Sequence, residues 1–138
     1  LIRRFHEAKI NKQDEVVVWG SGTPKREFLY IDDMAEASLF VHTLHHTIYE
    51  ENTQLMLSHI NVGTGVDVTI KELAQAIKDV VSFNGELIFD TSKPDGTMRK
   101  LMDVSTLGEI GYVAPTSLKE GLKLAYADFL RNSSVLRM

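Results

Sequence analysis

The apolar positions of the chain follow two different periods, one typical of strands and the other typical of helices. Runs of β-branched and aromatic residues predict strands at Glu15–Trp19, residues 26–31, residues 57–62 and Glu86–Asp90. Apolar residues spaced by three or four predict about four helices, which begin near Leu1, Met34, Ile70 and Leu118. Because these strands alternate with helices but are short and few, the sequence predicts a small α/β domain and not a complete doubly wound sheet.

Polar residues at three predicted helix starts carry capping patterns. These are Thr69 with Glu72, Ser117 with Glu120, and the pair Asp32 and Asp33 with Glu36. After Asp33, five apolar positions predict one buried helical face that continues to about Tyr49: Met34, Ala37, Val41, Leu44 and Ile48. Capping and the helix dipole explain the paired aspartates, so we assign them no acid/base chemistry.

Charge and composition exclude several classes of function. The 138 residues include 15 Lys and Arg against 19 Asp and Glu, so the net charge is −4 and disfavours binding to nucleic acid or to a membrane. Cysteine is absent, which excludes disulfides and thiolate metal sites and fits a cytoplasmic protein. We expect no leader peptide, and no apolar run approaches the roughly 20 residues of a membrane span. Any anion site must therefore be local.

Two loops are candidates for such a site. Residues 19–28 place Trp19 at a strand end before two glycines and two cations, including Arg26, so the segment could stack on a base and bind phosphate. The alternative is a hairpin with a buried tryptophan and solvated cations, which the residues alone favour. Residues 93–100 form a second cationic loop that ends at Arg99 and Lys100, with an exposed charged loop as the alternative.

Other patterns predict neither a cofactor site nor a metal site nor catalysis. The turn Gly63-Thr64-Gly65 lacks the third glycine of the dinucleotide fingerprint. Three helical histidines lack an accompanying carboxylate motif, and we interpret them as a solvated face: His42, His45 and His46. No tyrosine has a lysine four residues further along, so the acid/base pair of short-chain reductases is absent.

Several motifs, taken in order, resemble the substrate-binding C-terminal domain of the GDP-L-fucose synthase family, within the extended short-chain dehydrogenase/reductases. They are LIRRFHEA from Leu1, VVVWGSGTP from Val16, REFL from Arg26, DDMA from Asp32, HINVGTG from His59 and SKPDGT from Ser92. The resemblance extends to about Phe129. It predicts a nucleotide-sugar (GDP-sugar) binding domain over residues 1–130 and a frayed tail over residues 131–138. The chain opens inside a helical run without an initiator methionine, which also suggests a piece of a longer protein.

The resemblance implies a parent enzyme that converts GDP-4-keto-6-deoxy-D-mannose to GDP-L-fucose by 3,5-epimerisation and 4-reduction. NADPH and the acid/base residues would belong to a missing N-terminal Rossmann domain, so this piece alone should bind no cofactor and be inactive. The substrate-binding residues it implies are Arg4, Trp19 beside the guanine, and Arg26 with Lys100 toward the diphosphate. Two departures from the family are Glu86, where a basic residue can occur, and Met98, where proline is common.

Other readings remain open at this stage. The parent could be another nucleotide-sugar epimerase or dehydratase of the same superfamily, or the chain could be a freestanding nucleotide-binding module or an inert structural domain. Loss of the partner domain would uncover a face of Leu, Ile, Met and Phe side chains, so we also expect a homo-oligomer.

Overall fold

The computed structural model describes residues 1–132 and shows an α/β fold, as the alternating pattern predicted. The described elements are, in order, α1 (Ile2–Ile10), β1 (Glu15–Trp19), β2 (Lys25–Glu27), α2 (Ile31–Thr43), α3 (His46–Glu51), β3 (Asp67–Thr69), α4 (Ile70–Val81), β4 (Glu86–Asp90), β5 (Arg99–Lys100), α5 (Ser105–Glu109) and α6 (Leu118–Asn132). The predicted tail over 131–138 overlaps α6 at its first two residues, and its residues 133–138 lie outside the described part. No helix among residues 1–132 is long and apolar enough to span a membrane.

The described chain divides into two compact units, each assembled from separate segments. The first unit contains Leu1–Arg26, Val68–Arg99 and residues 119–132, and the second contains Glu27–Asp67 and Lys100–Leu118. The predicted domain over residues 1–130 includes parts of both units, and it stays a prediction.

In the first unit, β1 and β4 form a two-stranded parallel sheet. The register runs from Glu15 opposite Glu86 to Trp19 opposite Asp90, so both strands end at the same edge. Both strands were predicted with these bounds. Helix α1 precedes β1 and α4 precedes β4, and the two helices contact each other.

Apolar side chains from α1, β1 and α4, together with Phe83, fill the core of the first unit. Phe5 and Ala8 of α1 are fully buried, and the rings of Phe5 and Phe83 meet edge to face with centroids 5.7 Å apart. The other buried apolar side chains of this unit are Val16, Val18, Leu73, Ala74, Ile77 and Val81. Burying a side chain of this size stabilises the fold by about 1.5–3 kcal/mol, so this core is the main source of stability for the first unit.

Helix α4 has well-defined ends. Thr69 and Glu72 form the predicted capping box, in which the Glu72 amide donates to the Thr69 hydroxyl at 3.0 Å and the Thr69 amide donates to Glu72 at 2.7 Å. At the other end, Ser82 adopts the left-handed region with φ 57°, and Lys9 Nζ donates to the Val81 carbonyl at 2.8 Å. These contacts satisfy backbone groups that a helix end leaves unpaired.

The predicted N-cap of α2 is wrong. The helix begins at Ile31 after Tyr30, which makes no side-chain capping bond, and Asp33 lies inside the first turn, 3% exposed. Its carboxylate accepts hydrogen bonds from the Thr116 amide (3.0 Å) and hydroxyl (2.7 Å), and its carbonyl accepts one from the Tyr112 hydroxyl (2.8 Å). Asp33 therefore anchors a distant segment of the second unit instead of capping its own helix.

Three further predictions are also wrong. The strand predicted for residues 26–31 ends at Glu27, and residues 57–62 form no strand beyond a single bridge between Gln54 and Leu57. The long helix predicted to reach Tyr49 breaks at Leu44, leaving α2 and α3 as separate helices. Before the break, the Thr43 hydroxyl donates to the carbonyls of Leu39 and Phe40, a local bond that often accompanies a bent or ending helix.

Candidate functional site

The strongest candidate for a ligand site lies at the carboxyl ends of β1 and β4. Ligands of parallel α/β sheets bind outside this edge, because the loops that follow the strands meet there. Trp19 ends β1 with 68% of its surface exposed, and Lys93, from the loop after β4, places its Nζ 5.9 Å from the centre of the indole ring. The alternative of a buried tryptophan is thus excluded, and the indole offers a face on which a planar group can stack.

The two loops at this edge are tied to each other. Asp95 accepts hydrogen bonds from the Ser21 amide at 2.9 Å and from the Ser21 hydroxyl at 2.6 Å. These bonds hold the pKa of the Asp95 carboxyl below its ordinary value. Because a carboxylate joins the turn after β1 to the loop after β4, both loops keep one arrangement next to Trp19.

Two glycines permit the close approach of these loops. Gly20 has φ 86° and Gly22 has φ 76°, a region that favours glycine. A Cβ on Gly20 would lie 2.4 Å from Asp95 Oδ1, and a Cβ on Gly22 would lie 2.5 Å from the ring of Phe89. Both positions therefore exclude a side chain for reasons of conformation and of space.

Arg4 and Trp19 line the same concave surface. This concavity measures about 660 Å³ and runs beside β1. Within it, Nη1 of Arg4 donates a hydrogen bond to the Val17 carbonyl at 2.8 Å, which fixes the guanidinium against the strand. Arg4 is therefore both a structural contact of β1 and a cation beside the exposed indole.

Arg26 and Lys100, the other two predicted site residues, lie in different units. Arg26, in β2 of the first unit, donates from Nη1 to the Lys25 carbonyl at 2.6 Å, and its Nη2 lies 3.4 Å from the position of a Cβ on Gly96. The loop that places Lys93 over Trp19 thus also reaches Arg26. Lys100 ends β5 in the second unit and is exposed.

Glu86 lies at the opposite end of β4 from this edge. It is exposed and pairs with Glu15 at the amino end of the sheet. Five-residue strands rise about 3.3 Å per residue, so Glu86 lies about 13 Å along the strand from Asp90. A basic residue at this position would therefore also lie far from the indole along the sheet.

The described residues do not fit a dinucleotide cofactor at the Gly63-Thr64-Gly65 turn. The amides of Thr64 and Gly65 donate to Oε1 of Glu27 at 2.5 and 2.7 Å, so the donors that a pyrophosphate would need already hold a carboxylate. A Cβ on Gly63 would also lie 2.5 Å from the same oxygen. The turn binds the carboxylate of Glu27.

The tyrosines of the described residues have structural partners. Tyr112 donates to the Asp33 carbonyl, Tyr126 lies 3.0 Å from Nδ1 of His6, and Tyr49 donates to the Ser58 carbonyl. Burial raises the pKa of Tyr126, and burial together with neighbouring carboxylates raises that of Tyr112. These shifts are opposite to what a tyrosine needs to exchange a proton near neutral pH. Within residues 1–132, no cluster of three His, Asp or Glu side chains could hold a metal ion.

Trp19 and Arg26 stay predicted site residues, whereas Ser21, Lys93 and Asp95 lie in the two predicted loops but had no predicted role. The loop of residues 93–100 carried a signal, since it follows a strand parallel to β1. Only the strand pairing, however, shows that this loop closes over the indole.

Comparison with known proteins gives two sets of relatives. A family model for the NAD dependent epimerase/dehydratase family matches residues 1–63. The chain is 58% identical to a GDP-L-fucose synthase of Escherichia coli (strain K12), over 99% of this chain and 43% of that protein. It is 53% identical to a putative GDP-L-fucose synthase 2 of Arabidopsis thaliana, over 96% of this chain and 38% of that protein. The chain thus spans less than half the length of these relatives.

Solved structures share the fold. A GDP-mannoheptose C4 reductase from Campylobacter jejuni with NADP bound superposes with a TM-score of 0.81 at 35% identity, over 94% of this chain and 43% of the other. A GDP-L-fucose synthetase from Naegleria fowleri bound to NADP gives 0.80 at 27% identity, over 99% and 40%. The chain is therefore similar, over nearly its whole length, to one part of the GDP-L-fucose synthases, and the resemblance to these extended short-chain dehydrogenase/reductases is confirmed.

Proposed function

We propose that this chain is the GDP-sugar-binding part of an NADPH-dependent GDP-L-fucose synthase that acts on GDP-4-keto-6-deoxy-D-mannose. The observation that carries the proposal is the exposed indole of Trp19 at the carboxyl edge of a parallel strand pair, beside the cations Lys93 and Arg4. An aromatic face next to cations matches the two halves of a nucleoside diphosphate, which are a planar base and a charged diphosphate.

The identity of the nucleotide is supported by the names of the relatives. They include GDP-L-fucose synthases, a GDP-L-colitose synthase and a GDP-mannoheptose C4 reductase, which share the GDP group and differ in the sugar. In our proposal the guanine stacks on Trp19. A stacked base contributes about 1–3 kcal/mol in proteins that bind single-stranded nucleic acids, a guide to the size of this contact.

The diphosphate would be bound by Arg26 and Lys100, with Arg4 as a further cation of the site. The chain as a whole is acidic, with a net charge of −4, so these cations must act locally. An arginine can bind phosphate oxygens with two parallel N–H groups, whereas a lysine acts as a compact charge.

In our proposal, the reaction of the parent enzyme uses groups that lie outside this chain. Epimerisation at C3 and C5 requires proton transfer next to the ketone, and reduction at C4 requires a hydride. The tyrosines Tyr112 and Tyr126 have raised pKa values, and the Gly63-Thr64-Gly65 turn is occupied by Glu27. In our proposal, NADPH and the acid/base groups belong to a Rossmann domain that partners this chain in the cytoplasm, and this chain contributes binding and orientation of the substrate.

The proposal is tested by calorimetric titration of GDP and of UDP into the chain. We expect GDP to bind more tightly than UDP. Trp19→Ala should weaken GDP binding about tenfold through lost stacking. Arg26→Ala should weaken GDP binding by about tenfold or more through a lost charged hydrogen bond. Lys123→Ala, which removes an exposed charge on α6 of the same unit, is the control and should bind like the wild type.

Three outcomes would contradict the proposal. A preference for UDP would favour another nucleotide-sugar epimerase or dehydratase as parent. Equal binding by the Trp19→Ala variant and the wild type would remove the indole from the site. Absence of GDP binding to a folded wild-type chain would favour a structural domain.

A homo-oligomer is part of the same proposal. In the second unit, Leu55 is 102% exposed and Met56 is 93% exposed, which is an unusual placement for two adjacent large apolar residues. We expect sedimentation equilibrium to show association of the wild-type chain and its loss in a Leu55→Asp, Met56→Asp double variant. A wild-type chain that remains monomeric at about 100 µM, well above micromolar dissociation constants, would contradict this expectation.

A further inference from the structure

The carboxylate of Glu27, the last residue of β2, accepts four hydrogen bonds in the second unit. Oε1 accepts from the Thr64 amide at 2.5 Å, the Thr64 hydroxyl at 3.2 Å and the Gly65 amide at 2.7 Å. Oε2 accepts from the Met102 amide at 3.1 Å. One half-buried carboxylate therefore joins three stretches of chain that are far apart in sequence.

The full set of four bonds needs both oxygens of Glu27 to accept, which favours its ionised form. Burial raises the pKa of its carboxyl, but the hydrogen bonds donated by Met102, Gly65 and Thr64 outweigh burial, so the pKa lies below the ordinary value. A protonated or amide group at this place would keep one accepting oxygen, which could serve the three contacts at Oε1, but would turn the other into a donor that faces the Met102 amide. The charge of Glu27 is thus needed to keep the Met102 contact together with the other three.

The Met102 contact bears on Lys100, which lies only two residues earlier in the chain. On its other side, the Met98 carbonyl accepts a hydrogen bond from the Lys25 amide at 2.8 Å. Beyond Met102, the Asp103 carbonyl accepts a hydrogen bond from Asn61 at 3.0 Å. Lys100 is therefore an exposed residue that lies two positions before Met102, and Glu27 holds the Met102 amide within the same unit.

We propose that Glu27 is a positioning residue, which holds the backbone around Lys100 so that the ammonium group meets the diphosphate of a GDP-sugar. The inference rests on the proposed function, because it needs Lys100 to contact the diphosphate. In this proposal Glu27 acts through the backbone and makes no contact with the ligand. A lysine has four rotatable side-chain bonds, so fixing its backbone reduces the freedom that must be lost when it binds.

The test is a double-mutant cycle on GDP affinity with Glu27→Gln and Lys100→Ala. Gln keeps the size of the side chain but presents an amide N–H toward one set of donors. We expect Lys100→Ala to weaken GDP binding by about tenfold and Glu27→Gln to weaken it by about three- to tenfold. The double variant should bind GDP no more weakly than Lys100→Ala alone. A control is Asp33→Asn, which breaks another carboxylate anchor of the same unit without touching the segment of Lys100 and should leave GDP affinity unchanged.

A spectroscopic measurement separates positioning from a general loss of structure. In ¹⁵N-edited spectra, Glu27→Gln should shift the amide signals of Lys100 and Met102 and abolish the response of Lys100 to GDP. Asp33→Asn should leave that response intact. Additive losses in the cycle, or an unchanged Lys100 response in Glu27→Gln, would overturn the inference. Failure of the wild type to bind GDP would instead overturn the proposed function, so the two failures are distinguishable.

Discussion

Each of the two units of this chain is stabilised internally by a different kind of contact. The first unit packs α1 and α4 on the β1–β4 pair around a core of fully buried apolar side chains such as Phe5 and Val81. The second unit has few buried apolar residues, notably Ala37 and Leu107, and depends on the carboxylates of Asp33 and Glu27, which bind backbone and hydroxyl groups far away in sequence. Apolar packing gives stability that is insensitive to pH, whereas carboxylate anchors give stability that depends on charge.

The largest expected effect comes from breaking the apolar core. Phe5→Ala removes a fully buried ring and should lower the free energy of unfolding of the first unit by about 3–5 kcal/mol. Urea denaturation followed by circular dichroism measures this change. Ile10→Ala, on the same helix but 59% exposed, is the matched control and should cost less than about 1 kcal/mol. Similar losses for both variants would contradict the assignment of the core.

A smaller effect is expected from removing the charged anchor of α2. Asp33→Asn leaves the Thr116 amide and hydroxyl facing a group that can accept from only one of them, at a cost of about 1.5–3 kcal/mol. Native-state hydrogen exchange should show reduced protection of amides in the second unit, while the amides of α4 stay protected. Asp32→Asn changes an exposed neighbour in the same turn and should have little effect. An equal loss of protection in α4 would contradict the view that the Asp33 anchor stabilises the second unit and not the first.

Acid should weaken the second unit before the first. The pKa of Glu27 is lowered in the folded chain, so its contribution is present above the ordinary carboxyl value near 4.5 and is lost as the pH falls through the folded pKa. Because Glu27 is half exposed, we expect a change of only about 1 kcal/mol. Hydrogen exchange at Thr64 and Gly65, measured from pH 6 downward, should accelerate in the wild type beyond its intrinsic pH dependence, but not in Glu27→Gln. The same profile in both proteins would contradict this assignment.

The smallest effect concerns a backbone position in the first unit. Ser82 ends α4 in the left-handed region with φ 57°, where a Cβ is unfavourable. Ser82→Gly should therefore stabilise the unit by about 0.5–1 kcal/mol, measured as a rise in the urea midpoint. Asn84→Gly, two residues further along and outside the left-handed region, should not stabilise the unit. A loss of stability in Ser82→Gly would contradict the expectation.

The same contrast explains what the sequence could predict. The strands Glu15–Trp19 and Glu86–Asp90 and the start of α4 follow from apolar periods and a capping box, which are local patterns. The local pattern predicts a cap at Asp33, because the actual partner, Thr116, lies 83 residues away and leaves no local signal. The apolar run of residues 57–62 has the composition of a strand, but it forms only a bridge at Leu57 because strand pairing depends on neighbours that the run does not specify.

At the candidate site, the sequence indicated residue types but not their arrangement. Trp19 and Arg26 stood out because an aromatic group and a cation flank a glycine turn. That Lys93 lies over the indole depends on the parallel register of β1 and β4, which pairs residues about 70 positions apart and cannot be read from either segment.

The bond between Ser21 and Asp95, which joins positions 74 residues apart, limits how this site can be redesigned. A variant library that aims at a new nucleotide preference should keep Gly20, Ser21 and Asp95 fixed, because these residues set the spacing of the two loops. The library should vary Lys93 and Met98, because their side chains are exposed and can be replaced without changing the backbone of the loop.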